Sequence, residues 1–347
     1  MRYALILSGG KGVRFWPVSR ELKPKQFLAI CSNSPIIEET IRRISPLVGV
    51  QHVFVAANTM HRRHIKNSTQ PLRIPASNVF FEPESKNTLA PIAYMSARLC
   101  EEDPNAIIAV FPADHFVKDN ARFRALIRKG MDIAQKGFIV TLGVPPSRAE
   151  TGYGYIKTRP PGNDFCLIER FIEKPSLERA RRFIQDRRYY WNAGIFIFRA
   201  DVMLAEIKRC CPRVWPLLQR IEKPGKRLVR LWRKMPSVSI DYAVMEKSSK
   251  LALLPLECGW SDVGSWHSLG EVGKKDKSGN IFKGQCVDIE SKNSFVWSGH
   301  KLVATVGLKD TVVVDTKDAL LVCAKDRAQD IKQIVQVLKS RKLHKQI

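Results

Sequence analysis

Tyr3-Ala4-Leu5-Ile6-Leu7 runs directly into Ser8-Gly9-Gly10-Lys11-Gly12-Val13-Arg14-Phe15-Trp16-Pro17. A short apolar run stopped by glycines reads as a buried strand entering a tight turn. Arg2 ahead of the run gives it the outline of a signal peptide, but Ser8 to Gly12 cuts it short, so a first buried strand is expected. Glycines let the chain turn sharply and bring backbone N–H groups close to a phosphate chain. Arg14 can fork onto phosphate oxygens. The turn is not a Walker A loop, because no Gly-Lys-Ser/Thr follows, and Phe15 stands where a dinucleotide fingerprint needs its third glycine. Alone it fits an ordinary strand-to-loop turn equally well. Lys23-Pro24-Lys25-Gln26-Phe27-Leu28, close behind, adds further cations and makes the pair of segments a candidate triphosphate cradle.

Working outward, apolar strands alternate with helices. Strands are expected at Val53 to Ala57, Asn78 to Phe81, Ala106 to Phe111 and Phe138 to Leu142. Helices are expected at Thr88 to Glu101 and Asn120 to Lys136, and from Pro35, with Ser34 as N-cap and Ile37, Ile41 and Ile44 on one face. Strands without polar alternation, separated by helices, imply an α/β fold with a mainly parallel, Rossmann-like sheet covered on both faces. Ligands then sit beyond the carboxyl ends of the strands.

Between Gly152 and Phe198 the pattern changes. Strand-like segments (Gly152 to Lys157, Cys166 to Glu173, Ile195 to Phe198) surround a helix over Leu177 to Asp186. This reads as an insertion that builds the second wall of a cleft. Past Lys275 short strands follow one another: Gln285 to Ile289, Phe295 to Trp297, Leu302 to Val306, Thr311 to Asp315 and Ala319 to Cys323. A small β-rich domain over 276–347, of a kind compatible with a β-helical stack, is expected behind a catalytic domain over 1–275. Ile331, Ile334, Val335 and Leu338 end it on an amphipathic helix.

Eight cysteines lie scattered with no Cys-x-x-Cys pair, so neither a thiolate metal site nor a disulfide framework is indicated, and reduced thiols in a cytoplasmic location are expected. No apolar run is long enough to span a membrane. Lys plus Arg number 58 against 33 Asp plus Glu, a formal charge of +25. Much of that surplus falls between Lys208 and Lys234, where ten basic residues face one acid, Glu222. Without a stacking array or a nucleic-acid-reading motif, this stretch reads as a solvated helical face away from the other motifs, and no specific nucleic acid is implied.

Further segments follow in order: Phe111-Pro112-Ala113-Asp114-His115, Gly152-Tyr153-Gly154-Tyr155-Ile156, Phe171-Ile172-Glu173-Lys174-Pro175, Trp191-Asn192-Ala193-Gly194-Ile195-Phe196, Ile240-Asp241-Tyr242-Ala243-Val244-Met245-Glu246-Lys247 and Trp260-Ser261-Asp262-Val263-Gly264-Ser265-Trp266. With the two loop segments, this set resembles the sugar-1-phosphate nucleotidyltransferase family. In detail it is similar to that family's mannose-1-phosphate guanylyltransferase branch. The likeness spans Leu5 to about Trp266. Val13 departs from it, standing where the family more often has a small hydroxyl residue.

The resemblance implies GMP transfer from GTP to mannose 1-phosphate, with Mg²⁺ on Asp114 and Asp262. Two carboxylates suit an ion that takes its remaining ligands from water and substrate phosphates. It implies a nucleotide site of Leu7, Gly9, Gly10, Gly12, Arg14 and Lys25, with base recognition in Glu82 to Thr88. Guanine presents donors at N1 and N2, which Glu82 or Asn87 could read, beside Thr88. On the sugar side it implies Gly152, Gly154 and Asn192, with Glu173 accepting from hydroxyls and Lys174 neutralising the phosphate. Arg14, Lys25 and Lys174 are the catalytic candidates. Trp16, Trp191, Trp260 and His115 are read as packing residues. A homodimer is compatible with the resemblance and the β-rich region. The additional isomerase domain of longer relatives is not expected. Other expectations left open are another sugar 1-phosphate, such as a heptose or fucose, a regulatory homologue that binds GDP-sugars, and a polyanion-binding protein.

Overall fold

The computed structural model describes residues 1–10, 12–160, 164–220 and 226–347. Lys11 of the loop and residues 221–225 of the basic stretch lie outside the described residues. The chain forms two compact units. One comprises Met1–Gly9, Ile41–Ala113 and Val117–Trp260, the other Gly10–Thr40, Asp114–Phe116 and Ser261–Ile347.

The first unit is built on a sheet. Its strands are β1 (Arg2–Ser8), β2 (Val53–Asn58), β3 (Val79–Glu82) and β4 (Ile107–Pro112). After a two-residue strand, β5 (Phe116–Val117), come β6 (Ile139–Val144), β7 (Tyr155–Thr158), β8 (Cys166–Ile172), β9 (Tyr189–Arg199) and β10 (Leu251–Pro255). The nine-stranded sheet has the order β3-β2-β1-β4-β9-β6-β10-β8-β7. The β3, β2, β1 and β4 strands are mutually parallel, as are β6 and β10, while β9 runs antiparallel between β4 and β6. Parallel strands covered on both faces must be apolar throughout, and Ile107 to Phe111 are all buried. The helix Leu89–Glu102 covers one face with Leu89, Ile92, Ala93 and Leu99. The helix Asn120–Gln135 opens on Asp119, whose carboxylate accepts the Arg122 N–H at 2.9 Å.

Two expectations are corrected here. The segment from Gly152 to Phe198 does not build a separate wall: β7, β8 and β9 join the same sheet. The physical reason lies in β9, which extends back to Tyr189 with Trp191, Ala193 and Ile195 buried and so is long enough to pair with β4 over Phe196 to Arg199 and with β7 over Tyr189 to Trp191. The helix expected from Pro35 starts at Ile36, because the Pro35 carbonyl already accepts from Glu38 and Glu39 at 2.9 and 3.2 Å.

The second unit contains a parallel coil. After β11 (Trp260–Ser261) come β12 (Ile281–Lys283), β13 (Cys286–Ile289), β14 (Phe295–Trp297), β15 (Val303–Val306), β16 (Thr311–Asp315) and β17 (Leu320–Ala324). The order is β12-β14-β16-β17 on one face and β13-β15 on another. All these pairs are parallel except β16–β17, which is antiparallel. Cys286 lies opposite Val303, Phe295 opposite Val312 and Lys292 opposite Lys309, a constant offset that marks successive turns of one coil. Polar residues line its corners: Asn280 Oδ1 accepts the Ser294 N–H at 2.9 Å, and Ser294 Oγ accepts the Thr311 N–H at 3.3 Å. The helix Ile331–Ser340 buries Ile331 and Val335 against Val312, Val314 and Leu321. Phe15, Trp16, Leu28 and Trp266 belong to the same core.

Candidate active site

Within the second unit, the loop after β1 folds onto the segment that follows it. Gly12 has φ +54, and a Cβ there would lie 2.6 Å from the Lys25 backbone nitrogen. Only glycine allows that approach. Lys25 is itself buried, at 5% exposure. Its Nζ lies 2.8 Å from Asp114 Oδ2 and donates to the carbonyl oxygen of Asp262. The structure therefore brings together three residues from three distant segments. Burial works against the ionised form of Asp114, but the charges of Lys25 and His115 outweigh it and hold the carboxyl below its ordinary value. Asp262 Oδ1 accepts the Gly264 N–H at 3.1 Å. Between them stands Val263, buried and at φ 44, a strained conformation for a β-branched residue.

The position held by the Lys25 ammonium is lined by a carboxylate and a carbonyl, hard oxygens that accept a cation. Among the described residues no group of three or more His, Cys, Asp or Glu could hold a metal by itself. The pair fits an ion that completes its shell with phosphate oxygens and water. Arg14 is exposed, and a Cβ at Gly9 or Gly10 would meet nothing within 4 Å, so this stretch of backbone is open.

In the first unit, Leu7 is half-buried and its carbonyl accepts the Ala113 N–H at 3.0 Å, tying the ends of β1 and β4. Glu82 ends β3 and is 7% exposed. Burial pushes its pKa up to about 7, against a backbone hydrogen bond from Lys86 that lowers it. Asn87 is exposed at φ 60, with its Oδ1 accepting the Thr88 N–H at 2.8 Å. Thr88 Oγ1 accepts the Ile240 N–H at 2.9 Å. The basic stretch, expected away from the motifs, in fact braces this segment. Trp232 is fully buried and its Nε1–H donates to the Glu84 carbonyl at 2.7 Å. Arg233 donates to the Glu84 carboxylate at 3.0 Å, and Lys86 Nζ to the Arg233 carbonyl at 2.9 Å. The helix Lys226–Lys234 leaves Arg227, Arg230, Arg233 and Lys234 exposed, but Leu228, Leu231 and Trp232 are buried, and that apolar side draws it onto the segment.

The remaining candidates form a second cluster in this unit. A Cβ on Gly154 would lie 2.5 Å from Glu173 Oε2 and 3.4 Å from Asn192 Cβ, so it would collide with the carboxylate and touch Asn192. Lys174 Nζ is 2.9 Å from Glu173 Oε1. Burial alone would lower the Lys174 pKa, but Glu173, with Tyr242 and Asp241, outweighs it and the value is raised. Lys174 sits at φ 44, so strain falls here as at Asn87 and Val263. The Asn192 amide is fixed on both sides. Its Oδ1 accepts from the Gly194 N–H at 3.0 Å and Thr141 Oγ1 at 3.3 Å, and its Nδ2 donates to Asp241 Oδ1 at 2.9 Å. Gly152 does not join this cluster; it lies at an exposed bend and donates to Glu150 Oε1 at 3.0 Å.

Two residues that no sequence expectation used complete the cluster. Burial and the charge of Glu173 push the Asp241 pKa up to about 6. Glu246 accepts the Glu173 N–H at 3.1 Å. Both stand in Ile240 to Lys247, a segment matched as a motif but given no chemistry. Trp16 and Trp191 are buried, in line with a packing role, and Trp260 is half-buried.

The family model described as nucleotidyl transferase matches residues 3–279, and that described as mannoseP isomerase/GMP-like beta-helix domain matches residues 284–338. The chain is 39% identical over 343 residues to the xanthan biosynthesis protein XanB of Xanthomonas campestris pv. campestris (strain B100), covering 97% of this chain and 73% of that protein. It is 38% identical over 359 residues to a mannose-1-phosphate guanylyltransferase of Escherichia coli, covering 99% and 77%. A crystal structure from Thermus thermophilus, described as mannose-1-phosphate geranyltransferase, superposes with a TM-score of 0.89 at 30% identity, covering 97% of this chain and 99% of that one.

Proposed function

Because this chain belongs to the nucleotidyl transferase family, with a ManC-type β-helix domain following, we propose that it transfers GMP from GTP to α-D-mannose 1-phosphate, giving GDP-mannose and pyrophosphate. The observation that carries the reading is the meeting of Lys25, Asp114 and Asp262 beside the glycine loop. The relatives named mannose-1-phosphate guanylyltransferase support the choice of substrates.

An oxygen of the sugar phosphate attacks the α-phosphorus in line, and pyrophosphate leaves. That nucleophile is already an anion near neutral pH, so no general base or covalent enzyme intermediate is needed. The work is positioning and charge neutralisation. Arg14 and Lys25 neutralise the triphosphate, with the open backbone at Gly9 and Gly10 beside it, Gly12 packed against Lys25, and Leu7 at the end of the preceding strand. Lys174 holds the attacking phosphate and offsets repulsion between the two anions. Gly154, Glu173 and Asn192 read the hexose, with Gly152 on the exposed bend two residues before Gly154. Glu82, Asn87 and Thr88 serve the base.

This family uses a divalent metal. We assign Mg²⁺, held by Asp114 and Asp262, which would supply charge neutralisation on the phosphates. The division into a catalytic region over 1–275 and a β-rich region over 276–347 is part of this reading, and the two family matches support it. Among the described residues no helix is long and apolar enough to cross a membrane; we place the enzyme in the cytoplasm. A homodimer is proposed too; the exposure of Val287, Ile289 and Val306 on β13 and β15 supports it.

The test is pyrophosphate release with Mg²⁺, GTP and mannose 1-phosphate, run beside ATP, UTP and dTTP and beside glucose, fucose and heptose 1-phosphates. Turnover confined to GTP with mannose 1-phosphate is expected. Turnover with another pair would overturn the base or sugar assignment. Binding of GDP-mannose without any turnover would favour a regulatory protein.

A further inference from the structure

We infer that Trp16 is a positioning residue that couples the phosphate loop to the helix Ile331–Ser340 and the residues after it, so that the β-helix unit takes part in the GTP half of the reaction. The inference rests on the reading of the loop as the triphosphate cradle. Trp16 stands two residues after Arg14, and its indole Nε1–H donates to the Gln346 carbonyl at 2.7 Å. Its own carbonyl accepts the Trp266 indole N–H at 3.1 Å. Phe15 and Trp266 are both fully buried and meet edge to face, with ring centroids 4.9 Å apart.

The attachment continues past Trp16. The Arg20 guanidinium lies 5.8 Å over the Trp16 ring and 2.7 Å from Asp318. The Glu21 N–H donates to the Ile347 carbonyl at 3.1 Å. Further on, Lys283 Nζ donates to the Ala29 carbonyl at 2.9 Å while resting 4.2 Å from the Trp297 ring. Phe15, Trp16, Leu28 and Ile30 share one core with Leu321, Ala328, Ile331 and Val335.

A glycine-rich loop has little rigidity of its own. Preorganised donors stabilise a transition state only if they need not be rearranged during the reaction. The exposed Arg14 therefore depends on the two buried aromatics behind it. Indole N–H groups held in a core need acceptors, and removing one frees a carbonyl as well. Because Trp16 Nε1 and the Gln346 carbonyl share a hydrogen bond, ordering the loop on a triphosphate also orders the chain around Gln346 and the helix before it.

Hydrogen exchange on the full chain, with and without GTP and Mg²⁺, tests the coupling. Protection is expected in the loop peptide over 12–28 and also in 331–347. Protection of the loop with unchanged exchange in 331–347 would overturn the inference and leave the loop reading standing. No protection in the loop would overturn that reading, and the inference with it. A second measurement uses Trp16→Phe, which keeps a ring and removes the N–H. KM for GTP should rise about tenfold, as losing one hydrogen bond implies, with KM for mannose 1-phosphate unchanged. A lower Tm with both KM values unchanged would make Trp16 structural only. The exchange experiment uses the unmodified chain, so it decides the matter even if the variant fails to fold.

Discussion

The ammonium of Lys25 lies 2.8 Å from Oδ2 of Asp114, and both side chains come from segments that flank no common element. A buried lysine is tolerable only when its charge is met, and here a carboxylate and a carbonyl meet it. The contact makes Lys25 the counter-charge of Asp114, one of the two proposed metal carboxylates, and suits its proposed role as a donor to the phosphates.

Replacing Lys25 by Met should lower kcat by about 10²–10³-fold, the usual effect of losing one preorganised donor. The two aspartates should then bind Mn²⁺ more tightly in the absence of nucleotide, as read by electron paramagnetic resonance. Normal turnover in this variant would remove the ammonium from the chemistry.

Asp262→Asn should abolish turnover at saturating substrates while the circular dichroism spectrum and Tm stay close to those of the parent. The amide keeps an oxygen for the Gly264 N–H, so local structure is preserved. A retained kcat would take Asp262 out of the metal site.

Glu82 gives a pH prediction. Its pKa is raised to about 7, so the folded chain binds a proton there that the unfolded chain has released above its ordinary value of 4.5. The associated stability is fully present below pH 4.5 and is lost as pH rises through 7. Glu82→Gln should therefore be more stable than the parent at pH 8, by on the order of 3 kcal/mol at most. If the ionised carboxylate reads guanine, KM for GTP rises as pH falls below 7 in the parent and not in the variant. Denaturant titrations and initial rates at pH 6 and 8 check both halves.

Asn192→Ala would strip partners from Gly194 and Asp241 together, while the Thr141 hydroxyl keeps the Ile195 carbonyl at 3.1 Å. Each unmet buried polar group costs roughly 1–3 kcal/mol, so a marked fall in Tm is expected with a raised KM for mannose 1-phosphate. Lys174→Ala, by contrast, removes a side chain that is 59% exposed and should raise that KM with little change in Tm. Equal KM values in Lys174→Ala and the parent would refute its contact with the sugar phosphate.

Much of the fold was legible because the buried strands are runs of apolar residues. Phe295–Trp297 and Thr311–Asp315 carry the expected bounds. The start of β9 at Tyr189 was not legible, because Tyr189, Tyr190 and Asn192 break the apolar run that identifies Ile195 to Phe198. The glycine turn and the lysines behind it were readable as a candidate from residue types, but the contact of Lys25 with Asp114 was not. Asp241 was not, since a lone acid beside a tyrosine looks like a helix-surface residue until Asn192 is seen to donate to it. The indole of Trp16 was read as packing, and it is buried. Its acceptor near the other end of the sequence leaves no local trace.

The antiparallel β17 has a consequence for how such chains vary in length. A parallel coil presents its last edge as a template for another strand, and a repeat added there would extend it. Here β17 lies across that edge against β16, and the chain then turns into the helix that meets Trp16 and Phe15 in their core. The stack is capped by its own chain. Extra residues are therefore tolerated at the outer corners of the coil, such as Glu290 or Asp310, both at left-handed φ. Residues inserted between β17 and the helix Ile331–Ser340 would instead shift the register of that helix against Phe15 and Trp16.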